Sequence, residues 1–144
     1  MIKKGYILFI TLAVVIMASA HANANSSERI VEDLICKRID TLNLYYTGQI
    51  EALETKEIIE DITAGFLREA DINNIDTYFQ TEIEPIKRYD ITKIDITKED
   101  ETMICAYVTI EWEAESLKGE DNFTHIYSVI CENEKKSYKL LQFF

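Results

Sequence analysis

The segment "ETMICAYVTIEWEAE" (101–115) alternates strictly between two sets of side chains, and this alternation decides the fold class. The first set is mainly apolar and consists of Ile104, Ala106, Val108, Ile110, Trp112 and Ala114. The second set is mixed and contains Met103, Cys105, Tyr107, Thr109, Glu111, Glu113 and Glu115. A period of two residues is typical of a strand that buries one face. We therefore predict a β-strand here, with the first set facing the core.

Three more segments around this strand have the same character. They are "YDITKIDIT" (89–97), "FTHIYSVICE" (123–132) and "SYKLLQFF" (137–144). The short polar stretches between them, "KED", "KGEDN" and "NEKK", are typical of turns. Short turns join antiparallel neighbours, so we predict a four-stranded antiparallel sheet.

Residues 26–46, by contrast, have the period of a helix. Their apolar side chains recur every three or four residues at Ile30, Val31, Leu34, Ile35, Ile39, Leu42, Tyr45 and Tyr46. Asn25 and Glu28 resemble a capping box, and Gly48 follows as a stop signal. A shorter helix is predicted from Thr55 to Gly65, and one helical turn at 73–80. Helices followed by hairpins indicate an α+β fold, with a curved sheet wrapped on the long helix.

The N-terminus has the composition of a secretory signal peptide. Lys3 and Lys4 precede an uncharged apolar stretch at 5–20, and small residues follow at A-x-A spacing. Cleavage is expected after Ala24, because Asn25 then caps the first helix, and cleavage after Ala20 is the alternative. We predict a signal peptide at 1–24, a single domain at 25–144, and a periplasmic or secreted protein. A retained membrane anchor is the other interpretation, although the apolar run is shorter than a typical membrane span.

The charge balance restricts the class of partner. The chain has 15 basic and 26 acidic residues, for a net charge of −11. Removal of residues 1–24 takes away Lys3 and Lys4 and makes the protein more acidic. Nucleic acids and anionic membranes are therefore excluded as expected partners, whereas a basic protein would be attracted. The alternative is that the charge only maintains solubility.

The three cysteines, Cys36, Cys105 and Cys131, predict a disulfide if the protein is exported. If Ile110 lies opposite Ile126, then Cys105 lies opposite Cys131, and this pair is our first choice. A bridge that involves Cys36, or no bridge, remains open. Because the sequence has no C-x-x-C pair, a zinc site is not expected.

The sequence carries no signature of catalysis or of a cofactor. His125 would be the only histidine after cleavage, and it shares a predicted face with Tyr107 and Tyr127. Proton transfer there is one interpretation, and an ordinary packed or surface histidine is the other. Segment 71–82 resembles a calcium loop at three positions but has Ile75 and Asp76 where an oxygen ligand and a glycine are needed. We predict no metal site.

Two sets of residues are candidates for binding. The first is an acidic and aromatic surface for a protein partner, formed by Glu111, Glu113, Glu115, Glu120, Asp121, Tyr107 and Tyr127. The second would line a small-molecule pocket and consists of Tyr45, Tyr46, Tyr78, Trp112 and His125. The apolar members of the outer strand face also suggest a homodimer as a further possibility.

The order of these features resembles a known family. The long helix ending in "NLYYTG", the aromatic segment Asp76–Thr77–Tyr78–Phe79 and the final aromatic strand are similar to the nuclear-transport-factor-2-like fold of the cystatin-like superfamily. More narrowly, they resemble small exported bacterial proteins of a domain family of unknown function. The resemblance implies a cone-shaped fold with a cavity between helix and sheet, and no established catalytic residues.

These observations favour an exported, non-enzymatic, acidic binding protein. Its most plausible role is that of an immunity-type or inhibitor-type neutraliser of a basic toxin or enzyme. A cone-fold protein that binds a small molecule, with weak acid–base chemistry, is the alternative, and a structural accessory of the cell envelope is a third.

Overall fold

The computed structural model of the chain describes residues 26–80, 82–130 and 136–142; for 123–130 and 142 it describes the backbone but not the side chains. The described part begins with three helices, α1 (Ser26–Tyr46), α2 (Ala52–Ile62) and α3 (Gly65–Thr77). Four strands follow: β1 (Arg88–Glu99), β2 (Met103–Glu113), β3 (Lys118–Ile130) and β4 (Lys136–Gln142). Each strand pairs antiparallel with the next, in the order β1-β2-β3-β4. The predicted α+β class is confirmed, and the predicted signal peptide lies outside the described residues.

The main core lies between α1 and the sheet. On β2, Ile104, Ala106, Val108 and Ile110 are buried, as the alternation predicts. On α1, Val31, Ile35 and Ile39 are buried at intervals of four residues and pack in the same cluster, together with Leu67 and Leu140. Burial of each large side chain of this kind contributes about 1.5–3 kcal/mol. Packing between these buried side chains therefore holds the sheet against the long helix.

A second core joins the three helices. Tyr45 and Tyr46, at the end of α1, are buried with Ile59, Ile62 and Ile75. The two tyrosine rings meet edge to face, with their centroids 5.1 Å apart. The Tyr45 hydroxyl donates to the carbonyl oxygen of Ile75 over 3.1 Å. The polar end of this buried ring is thus satisfied within the helical layer.

Helix α3 is longer than the single turn predicted at 73–80. Its buried residues are Leu67, Asp71 and Ile75, which lie four residues apart on one face. Asp71 is only 3% exposed, and it accepts from Arg38 through both carboxylate oxygens, at 2.5 and 2.7 Å. The sequence pattern did not reveal this buried face of α3, because Asp71 interrupts its apolar residues. The charge of Asp71 can be buried because Arg38, from a different helix, pairs with it.

The pairing of β2 with β3 corrects the predicted register. Ile110 lies opposite Asp121, not opposite Ile126. The segment "KGEDN", predicted as a turn, is the start of β3, and the actual turn is 114–117, closed by the Ala114 N–H donating to the Leu117 oxygen over 2.8 Å. A polar, glycine-containing stretch pairs as a strand here because it lies at the exposed end of the sheet and needs no core contact.

The new register also rules out the first-choice disulfide. Cys105 lies opposite His125, and both Cys105 and Cys36 carry free thiols. The predicted bridge between Cys105 and Cys131 is therefore wrong, because it depended on a wider hairpin. Cys131 itself lies outside the described residues.

Candidate partner-binding surface

The outer face of the sheet carries two rows of charged residues that run across three strands. The first row, which we name the neutralised row, consists of Arg88, Glu113 and Lys118 in direct register. The second, which we name the carboxylate row, consists of Asp90, Glu111 and Glu120, also in direct register. Because side chains alternate along each strand, the two rows lie next to each other on one face.

The neutralised row is internally compensated. Arg88 Nη2 lies 2.7 Å from Glu113 Oε2, and Lys118 Nζ lies 3.5 Å from Glu113 Oε1. These cations, Lys118 first and then Arg88, hold the pKa of the Glu113 carboxyl below its usual range. Glu113 was predicted to contact a partner, but its carboxylate already forms ion pairs with Arg88 and Lys118 of its own chain.

The carboxylate row has no such compensation. Asp90, Glu111 and Glu120 are all exposed, and no ion pair among the described residues includes any of them. Within the described part, Glu120 accepts a long, 3.5 Å hydrogen bond from the Asn122 amide. Like charges directly opposite each other on neighbouring strands destabilise a sheet. Glu111, in the middle, opposes a carboxylate on each side.

A groove of about 800 Å³ lies at these two rows. It is lined by Arg88, Tyr89, Asp90, Glu111, Trp112, Glu113, Lys118, Gly119 and Glu120. Four of these residues are acidic and two are basic, so the groove has an excess of negative charge. Its volume is within the range that accepts a small ligand or an inserted side chain.

The structure thus brings together three of the predicted partner contacts, Glu111, Glu113 and Glu120. Asp121 is separated from them, because it pairs with Ile110 and therefore lies on the helix side of the sheet. There it accepts from Trp112 Nε1 over 3.1 Å. Glu115 lies in the turn after β2, where its Oε1 is 3.8 Å from Lys87 Nζ.

Of the two tyrosines predicted for this surface, the structure describes only the side chain of Tyr107. Tyr107 is 43% exposed, and Lys93 Nζ lies 5.7 Å from the centroid of its ring. Lys93 in turn pairs with Asp95 over 2.6 Å. Tyr127 lies opposite Met103 in the register, and its side chain is outside the described part.

The five predicted pocket residues do not form one pocket. Tyr45 and Tyr46 are 2% and 7% exposed and belong to the helical core, whereas Tyr78 is 43% exposed. Trp112 lies on the helix side of the sheet, across Gly119. The side chain of His125 is outside the described part. A separate groove of about 370 Å³ at the end of α1 contains none of the five.

Tyr89, Cys36 and Asp40 form a polar contact between β1 and α1. The Tyr89 hydroxyl donates to Asp40 Oδ1 over 3.0 Å, and it also contacts the Cys36 thiol. Burial raises the pKa of both the Cys36 thiol and the Tyr89 phenol. A thiol with a raised pKa is a poor nucleophile at neutral pH, so this contact has the properties of a structural one.

Sequence reasoning missed Asp90, Arg88 and Lys118 as members of the surface. The alternation of β1 places Asp90 on the outer face, but its neighbours are known only once the register is known. Lys118 was assigned to a turn, so its contact with Glu113 was not expected.

The calcium-like pattern at 71–82 falls largely on a helix in the described part. Asp71 and Asn73, two positions of the calcium-like pattern, lie within helix α3, and Asp71 is paired with Arg38. Within residues 26–80, 82–130 and 136–142, no group of three or more His, Cys, Asp or Glu side chains is arranged to hold a metal ion.

None of the helices in the described part of the chain has the length and apolar character needed to span a membrane. Comparisons with protein-family models, with curated proteins and with solved structures find no match to this chain.

Proposed function

We propose that this protein is a non-enzymatic binding protein whose carboxylate row contacts a basic protein partner. The observation that carries the proposal is the direct register of Asp90, Glu111 and Glu120 on three neighbouring strands, while no ion pair of the described residues includes any of the three. A role as an immunity-type or inhibitor-type neutraliser of a basic toxin or enzyme would use such a surface.

The energetics of the row support this proposal. Each directly opposed pair of like charges costs about 0.2–1 kcal/mol, and the row contains two such pairs. Lysine or arginine side chains of a partner, placed over Glu111, would replace both repulsions by attractions. The same charges would also accelerate the encounter with a basic protein.

The arrangement distinguishes this proposal from the alternative that acidic residues only maintain solubility. Helix α2 also carries exposed acidic residues, including Glu54 and Glu57. These lie on a helix surface and outside the groove. If solubility were the only role, the two sets would be equivalent in any binding experiment, which makes the α2 pair a matched control.

The proposal is tested by affinity capture from cell-envelope extract with three immobilised proteins. They are the wild type, the variant E111Q/E120Q and the control variant E54Q/E57Q. We expect one basic protein to be retained by the wild type and the control, released by added salt, and lost from E111Q/E120Q. Equal loss from both variants, or retention that salt does not affect, would contradict the proposal.

We further propose that residues 1–24 are a signal peptide and that the protein acts in the periplasm or outside the cell. Lys3 and Lys4, the apolar run at 5–20 and the A-x-A spacing support this proposal. The measurement is the N-terminal residue of the purified mature protein. Asn25 is expected, His21 would indicate cleavage after Ala20, and Met1 in an envelope fraction would contradict export.

The cone-shaped, nuclear-transport-factor-2-like arrangement is likewise a proposal. It is supported by the packing of α1 on the sheet and by irregularities in all three strand pairings. Bulges of this kind bend strands and increase the twist of a sheet. An experimental structure whose sheet is flat would contradict it.

A further inference from the structure

The outer face of β2 carries two sulfur atoms in contact at the end away from the groove. The Cys105 thiol lies 3.2 Å from the thioether sulfur of Met103, and both side chains are half-buried. The thiol forms no disulfide. Met103 and Cys105 are two residues apart on a strand, so their side chains share one face.

On the neighbouring strand the structure describes the backbone of His125 but not its side chain. In the register of β2 with β3, His125 is the partner of Cys105. The two side chains that the structure does bring together supply a thioether and a thiolate, soft ligands that select monovalent copper, Cu(I). Hard cations such as Ca²⁺ and Mg²⁺ prefer oxygen ligands instead.

We propose that Met103 and Cys105 bind a soft monovalent metal ion, Cu(I), on the outer face of the sheet. The Cys105 thiol releases its proton to solvent, its sulfur donates an electron pair to the metal, and the Met103 thioether donates a second pair without loss of a proton. No electron is transferred, because the metal arrives and stays as Cu(I).

This site is separate from the proposed partner surface. Cys105 and Glu111 lie on the same strand, ~20 Å apart at the rise of an extended chain. The inference therefore does not depend on the partner, and the two proposals fail or succeed independently. The carboxylate-row variant E111Q serves as a control that should leave Cu(I) binding unchanged.

The test is an anaerobic Cu(I) titration of the wild type and of M103L, in competition with the chelator bicinchoninate. M103L keeps a side chain of similar size and retains every thiol of the chain. We expect its affinity for Cu(I) to fall by about 10-fold or more, since even outer-shell changes at metal sites cost about 10–100-fold. The variant C36S, which removes a thiol elsewhere, should retain the wild-type affinity.

A second readout reports on the thioether directly. The chain contains three methionines, and M103L assigns the Met103 methyl resonance in a ¹³C-methyl-methionine spectrum. We expect this resonance to shift on addition of one equivalent of Cu(I) or of its redox-inert analogue Ag(I). Equal affinities of wild type and M103L, or metal binding that leaves the Met103 methyl unshifted, would overturn the proposal, because Cys105 would then act as an isolated thiol.

Discussion

Replacement of Glu111 by glutamine should make the protein more stable. Glu111 opposes Asp90 on one side and Glu120 on the other, and no ion pair of the described residues includes it. Each opposed pair of like charges costs about 0.2–1 kcal/mol, and because all three side chains are exposed, the lower half of that range applies. Loss of both repulsions should therefore raise the free energy of unfolding by about 0.4–1.2 kcal/mol.

The assay is urea denaturation of the wild type and E111Q at low ionic strength and again in 1 M NaCl. The gain should shrink in high salt, where the screening length falls to about 3 Å. The matched control is E113Q, in which the side chain loses its contacts with Arg88 and Lys118. E113Q should be neutral or slightly destabilised, because exposed ion pairs contribute little to stability.

The result that would refute this reasoning is a loss of stability in E111Q similar to that of E113Q. A gain in E111Q that does not depend on salt would also refute it, because the gain would then not be electrostatic. Either outcome would mean that the carboxylate row is an ordinary solvated sheet face.

Three further predictions concern other parts of the fold. Hydrogen bonds from Thr102 lower the pKa of Asp100 to about 2, below the unfolded value of about 3.9. Its contribution to stability is therefore present above pH ~4 and lost as the pH falls through about 2, which a carboxyl ¹³C titration measures; a midpoint near 4 would contradict this. Gly119→Ala places a Cβ within 3.0 Å of the Trp112 ring, so the emission of this single tryptophan should shift to the red; an unchanged spectrum would show that the ring has room. Asp71→Ala removes the buried carboxylate that pairs with Arg38 and should cost about 3 kcal/mol in urea denaturation; a cost below about 1 kcal/mol would show that the pair is not structural.

The elements that the sequence predicted well are those set by local alternation or periodicity. The buried face of β2, from Ile104 to Ile110, follows directly from the period of two residues. The α1 stripe at Val31, Ile35 and Ile39 follows from the helical period. In both cases the hydrophobicity of each residue indicates whether its side chain is buried, so no knowledge of distant contacts is needed.

The features that were missed depend on contacts between distant segments. The register of β3 depends on a four-residue turn and on an irregularity between Ala106 and Thr109, and neither has a clear sequence signal. Because one shift changes every cross-strand neighbour, the wrong register produced the wrong disulfide prediction for Cys105. It also hid Lys118 from the candidate surface, whereas Asp90 was missed because its neighbours depend on the register of β1 with β2.

The most direct test of the central claim is where the partner touches this protein. Zero-length carbodiimide cross-linking of the captured complex joins carboxylates to lysines in contact, and peptide mass spectrometry locates the joined residues. The account predicts cross-links at Asp90, Glu111 and Glu120. Cross-links confined to Glu54 and Glu57 on α2, with the carboxylate row unmodified by the partner, would contradict it.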